Sequence, residues 1–172
     1  MPSVYFDTSV FLTLFGGQQD GPAIKGLLRE LKQDKVRIYT SIITVQAVSV
    51  RSFLRGSVVT DNHSKVSKLA RVLGVTKEIA LTSAKYEAVV QEAAKNSGET
   101  AQDTEQNRRR KWDCFHMATA VAMNCRAIYA IDTQFATKRR QLGLESVISV
   151  LSPSPKKPTL FQGLSEQTGR SL

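Results

Sequence analysis

Apolar residues fall along this chain in short runs separated by polar breaks. Val4-Tyr5-Phe6 is uninterrupted and reads as a buried strand, left through Asp7-Thr8-Ser9. Thr8 or Ser9 can cap a helix carrying Val10, Phe11, Leu12, Leu14 and Phe15, and Gly16-Gly17 stops it. Pro22 suits the first turn of a helix running to about Lys32, with Ile24, Leu27, Leu28 and Leu31 on one face. Val36 to Tyr39 forms a second strand, and Thr40-Ser41 caps a helix from Ile42 to about Leu54. Asp61 caps a helix containing Val66, Leu69, Ala70 and Leu73. Val75 to Leu81 fits either a turn or a short strand. Thr82 or Ser83 opens a helix through Lys95, with Ala84, Ala88 and Val89 along it.

Asn96 to Asn107 is polar and reads as a loop. Trp112 to Met123 is apolar nearly all round, which predicts a central helix. Ala127 to Ile131 is a strand, Phe135 to Leu142 a helix and Val147 to Leu151 a last strand. Strands separated by helices predict an α/β domain with a mainly parallel sheet between two helical layers. Its expected extent is 1–151. From Ser152, Pro153, Pro155 and Pro158 mark a C-terminal tail over 152–172.

Composition narrows the class. The 172 residues, 41% hydrophobic, suit one domain with a full core. The apolar runs are too short to span a bilayer, and no signal peptide is read. Cys114 and Cys125 share one predicted helix, about 16 Å apart along its axis, too far for a disulfide. Both are expected to be reduced core residues of a cytoplasmic protein. The formal net charge of +9 favours a phosphate-rich partner. The excess is local: Arg108-Arg109-Arg110-Lys111, Lys138-Arg139-Arg140 and Lys156-Lys157. The first two clusters flank the acids described next and are the candidate residues for binding a polyanion. The alternative is solvated faces and a basic loop.

Asp7 ends the first strand, Asp132 ends the strand from Ala127, and Asp113 opens the apolar helix. Strand ends in an open α/β sheet converge on a ligand crevice. Asp7 and Asp132 also suit plain turns, and Asp113 a helix start. Yet Trp112, Cys114, Phe115 and Met117 around Asp113 predict burial, and a buried carboxylate needs partners. Clustered carboxylates repel unless a cation joins them, and Mg²⁺ or Mn²⁺ is the natural one.

With these residues the chain resembles the PIN-domain family, most closely the ribonuclease toxins of VapC type. Four segments carry the resemblance: Val4 to Val10, Thr40 to Gln46, Trp112 to Ala120, and Ile131 to Phe135. It implies a PIN-like three-layer α/β/α fold. It also implies a metal site of Asp7, Asp113 and Asp132, with Gln46 where the family has a glutamate. Glutamine keeps a carbonyl oxygen but loses the charge and cannot act as a base. The implied activity is Mg²⁺- or Mn²⁺-dependent hydrolysis of RNA, leaving a 5′-phosphate, by the toxin of a toxin–antitoxin pair. The resemblance also implies a homodimer and an antitoxin protein partner, with Phe11, Leu14, Phe15, Leu28 and Leu31, mainly core residues, as candidates for a dimer face or a groove for a partner helix. The alternative is a catalytically weakened module that binds RNA or protein.

Other residues carry less. His116, three after Asp113, shares its helix face and can touch the site, but reads first as a buried structural histidine. Trp112 is expected to pack the central helix rather than stack on a base. A haloacid-dehalogenase-like enzyme would need an aspartate where Ser9 stands, and no glycine-rich lysine motif supports a phosphate loop.

Overall fold

The computed structural model describes residues 1–54, 62–96 and 104–153. Five strands alternate with seven helices: β1 (Ser3–Phe6), α1 (Thr8–Gly16), α2 (Gly21–Gln33), β2 (Arg37–Ser41), α3 (Ile42–Leu54), α4 (Asn62–Ser67), β3 (Arg71–Leu73), α5 (Lys77–Asn96), α6 (Thr104–Ala122), β4 (Ala127–Tyr129), α7 (Gln134–Gln141) and β5 (Ser149–Leu151). All strand pairings are parallel, in the order β3-β2-β1-β4-β5. The fold is thus the expected α/β class with helices on both sheet faces.

Alternation along the strands sorts the core into two halves. Val4, Phe6, Ala127 and Tyr129 face one way, onto Val10 and Phe11 of α1, Ile24, Leu27 and Leu31 of α2, and Val48 of α3. Tyr5, Tyr39 and Ile128 face the other, onto Met117 and Ala120 of α6 and Phe135 of α7. Phe6 centres the first half, edge-to-face with Phe11 at 6.1 Å and with Tyr129 at 5.5 Å. Helix α5 packs along α6.

Local chemistry sets several boundaries. Asp7, not Thr8 or Ser9, caps α1, accepting from the Ser9 backbone N–H. Gly17 ends that helix at φ 65°, a left-handed conformation that glycine adopts without strain. Ser41 Oγ accepts from the Ile43 N–H at the start of α3, as expected.

The middle of the chain departs from expectation. Leu73 lies in a strand, β3, not in the helix with Val66. Helix α5 starts at Lys77, and its buried face is Ile79, Ser83, Val90 and Ala94, with Val89 38% exposed. Helix α6 begins at Thr104, inside the segment expected as a loop. Asp61 and the tail from 154 lie outside the described residues. Cys114 and Cys125 are free and buried, and burial raises their thiols to about 12 and about 11. Among the described residues no helix is long and apolar enough to cross a membrane.

Candidate active site

The strand order reverses between β1 and β4, since the chain builds the sheet outward from β1 in both directions. At such a reversal the loops leaving adjacent strands diverge and open a crevice at the carboxyl ends. Asp7 follows β1 there, and its N–H extends the ladder to Tyr129 O at 3.0 Å. Asp132 leaves the neighbouring β4.

Asp7 is buried and held firmly. Its Oδ2 accepts from Ser9 N–H at 2.9 Å and from Ser9 Oγ at 2.6 Å. Ser9 Oγ in turn accepts from Ile131 N–H at 3.1 Å. One hydroxyl therefore fastens the turn after β1 to the residue before Asp132. Asp132 Oδ1 accepts from Gln134 N–H at 2.8 Å, at the entrance to α7.

Asp113 enters from α6. Its Oδ2 is paired with the ammonium of Lys138, which also donates to Gln134 Oε1 at 3.3 Å. Burial raises the Asp113 carboxyl to about 6; Lys138 opposes that shift, and the charges of Asp7 and Asp132 add to it. The three aspartates therefore share one electrostatic neighbourhood.

A hydroxyl chain runs beneath the acids. His116 is 2% exposed; its Nδ1 lies 2.7 Å from Tyr5 Oη, and its Nε2 lies 3.1 Å from Thr8 Oγ1 and 3.5 Å from Asp7 Oδ1. Thr8 Oγ1 is 3.1 Å from Thr44 Oγ1, which is 2.9 Å from Thr40 Oγ1, itself 2.9 Å from Phe6 O. Thr40 Oγ1 is the donor toward both Phe6 O and Thr44 Oγ1. At the other end of the hydroxyl chain, the Asp7 carboxylate beside Nε2 favours a proton on that nitrogen, so His116 Nε2–H donates to Thr8. Nδ1 is left as the acceptor of the Tyr5 hydroxyl. Burial supports this neutral imidazole, lowering the His116 pKa against the pull of Asp7. Burial, with Asp7 second, also keeps the Tyr5 phenol protonated well above 10. Tyr5→Phe would leave Nδ1 buried without a donor. It is expected to cost about 1–3 kcal/mol, read from the urea midpoint.

The remaining candidates are less concentrated. Gln46 is exposed on α3 and makes no hydrogen bond among the described residues, though Thr44 two positions earlier reaches the site through Thr8. Arg109, Lys111 and Arg140 are exposed, and Arg110 is half-buried. Arg139 donates to Ile148 O, and Lys138 is buried on Asp113, so neither is the open basic surface its cluster suggested. The Arg108 side chain lies outside the described residues. Trp112 is 38% exposed, stacked at a tilt on Phe115, rather than packed inside.

The structural role of Tyr5, Thr40 and Thr44 went unread because their partners are remote in sequence. The Thr40–Thr44 spacing, one helical turn, was the available signal.

The donors suit a hard divalent cation in kind. Each aspartate keeps one oxygen without a hydrogen bond among the described residues: Oδ1 of Asp7, Oδ1 of Asp113 and Oδ2 of Asp132. Among the described residues no three His, Cys, Asp or Glu side chains converge at metal distance, and Lys138 supplies the positive charge at Asp113.

Comparison with known proteins places this geometry. No curated protein sequence matches the chain. Solved structures do match it in fold. VapBC-1 of nontypeable Haemophilus influenzae is 14% identical with a TM-score of 0.57, over 88% of this chain and 98% of that one. DNA-bound VapBC of Salmonella typhimurium is 13% identical with a TM-score of 0.53, over 89% and 99%. Mycobacterium tuberculosis VapC20, a sarcin–ricin loop-cleaving toxin, is 16% identical with a TM-score of 0.51, over 78% and 93%. The PIN domain family model matches residues 4–141, a span running from the first strand through all three aspartates to the end of α7, and on that match the chain belongs to the PIN domain family.

Proposed function

We propose that this chain is a metal-dependent endoribonuclease acting as the toxin of a toxin–antitoxin pair. The observation that supports the reading is that Asp113 feels the charges of both Asp7 and Asp132 beside the strand-order reversal of a PIN domain. The fold likeness to VapBC structures and to a sarcin–ricin loop-cleaving toxin supports the substrate class and the antitoxin partner.

Asp7, Asp113 and Asp132 would hold Mg²⁺ or Mn²⁺. When bound, the cation supplies Lewis-acid stabilisation of phosphate charge and acidifies water. The chain's own residues do the rest. Ser9 engages Asp7 Oδ2 and so leaves Oδ1 as the oxygen without a hydrogen bond among the described residues. Neutral His116 presents Nε2–H toward Asp7 and Thr8. Arg109, Lys111 and Arg140 offer exposed positive charge to a polyanion. Single-stranded or looped RNA presents the accessible backbone that such a crevice needs.

A second reading rests on Gln46. With an amide in place of a carboxylate, and Lys138 already neutralising Asp113, the site has less negative charge for a cation. The chain would then bind RNA or a protein partner and cleave weakly.

One experiment decides between them: digestion of total RNA by the protein and by Gln46→Glu, with Mn²⁺ and with chelator. The expected result is chelator-sensitive cleavage that strengthens in the variant. One added ligand charge should tighten Mn²⁺ binding on the order of tenfold. Binding of RNA without cleavage by either protein would select the second reading.

A further inference from the structure

Lys138 is 7% exposed, an unusual place for an ammonium. A buried charge persists only beside a counter-charge, and Asp113 supplies it. The same lysine lines a cleft of about 270 Å³ between α5, α6 and α7, together with Arg110, Gln134 and Gln141. Ala94 forms part of its apolar wall. Two cationic groups and two amides, all hydrogen-bond donors, face one small space beside the acids. That is the chemistry of an anion site. Lys138 thus borders two compartments: a carboxylate on one side and an anion-suited cleft on the other.

We propose that Lys138 is a built-in latch on the metal site: its ammonium occupies Asp113 until a backbone phosphate in the adjoining cleft draws it away, coupling RNA binding to metal binding. The inference rests on the metal-site reading above. A buried ammonium cannot simply leave a carboxylate; another anion must replace it. A phosphate in the cleft is that replacement, and it lies within reach of the same side chain. Releasing Asp113 Oδ2 gives the cation a second free oxygen on that residue. By linkage, the metal must favour the phosphate by the same factor. The apo site stays charge-compensated, which also suits a chain with glutamine at position 46.

The test measures Mn²⁺ affinity by titration on the full-length protein, in sulfate and in chloride at matched ionic strength. Sulfate is the phosphate probe. For the wild type, sulfate should tighten Mn²⁺ binding about fivefold or more, the low end of such couplings. Lys138→Met should bind Mn²⁺ about tenfold more tightly than the wild type in chloride, with no further gain from sulfate. Lys138→Gln keeps a donor for Asp113 and guards against a folding defect in the methionine variant. It should tighten binding likewise. Equal Mn²⁺ affinity in the wild type and both variants would overturn the latch while leaving the metal site standing. So would an undiminished sulfate effect in the variants. Absence of Mn²⁺ binding in all three proteins would instead overturn the metal-site reading itself.

Discussion

Asp7→Asn is expected to reduce RNA cleavage by more than about 100-fold, beyond the range typical of residues one layer behind a metal ligand. The reason lies in which oxygen is already engaged. Ser9 directs two donors, its N–H and its hydroxyl, at Asp7 Oδ2. An asparagine must answer them with its amide oxygen, so its NH₂ group turns to the Oδ1 position. A cation there would meet a donor instead of a lone pair. The NH₂ would also meet His116 Nε2–H at about the 3.5 Å now spanned by Oδ1. Asparagine caps helices as well as aspartate does, so α1 keeps its start. Circular dichroism and the urea midpoint should therefore stay close to wild type while cleavage and Mn²⁺ binding fall together. Cleavage near the wild-type rate would remove Asp7 from the site.

Ser9→Ala is expected to act on both stability and metal affinity. Its hydroxyl donates to Asp7 and accepts from Ile131 N–H, 122 positions away. Deleting it orphans a backbone donor, at about 1–3 kcal/mol. It also frees Asp7 to rotate and uncouples the segment that carries Asp132. Residues in that position commonly change metal affinity or activity about 10- to 100-fold. Ser9→Thr keeps the hydroxyl and should restore most of both. An alanine variant with unchanged Mn²⁺ affinity would reduce the serine to a turn residue.

The parallel sheet and the places of Asp7 and Asp132 were legible because apolar runs end where buried strands end. Val4-Tyr5-Phe6 stops at Asp7, and Ile128 and Tyr129 lead toward Asp132 through Ala130-Ile131. Strand β3 was not legible. It has three residues, none fully buried, and follows directly on apolar positions at helical spacing. The start of α6 was hidden because its first turns are polar. Lys138 was read with its basic neighbours as surface charge. Yet it lies three residues after buried Phe135, so one face of α7 carries both inward. The hydroxyl chain under the acids was invisible for another reason. Thr8 meets Thr44 across 36 positions and His116 across 108, distances over which no local pattern reports.

The strand order also has a consequence in time. β1 is synthesised before β2, β3, β4 and β5, yet it takes the centre of their sheet and waits for β4 on one side. Ser9 is translated long before Ile131, its partner. At about 5–20 residues per second, that interval is roughly 6–24 s. For most of it, neither Asp113 nor Asp132 has yet been made. A ribosome making this chain therefore carries the acids of the candidate site apart from one another, and all three can meet only once Asp132 has been made.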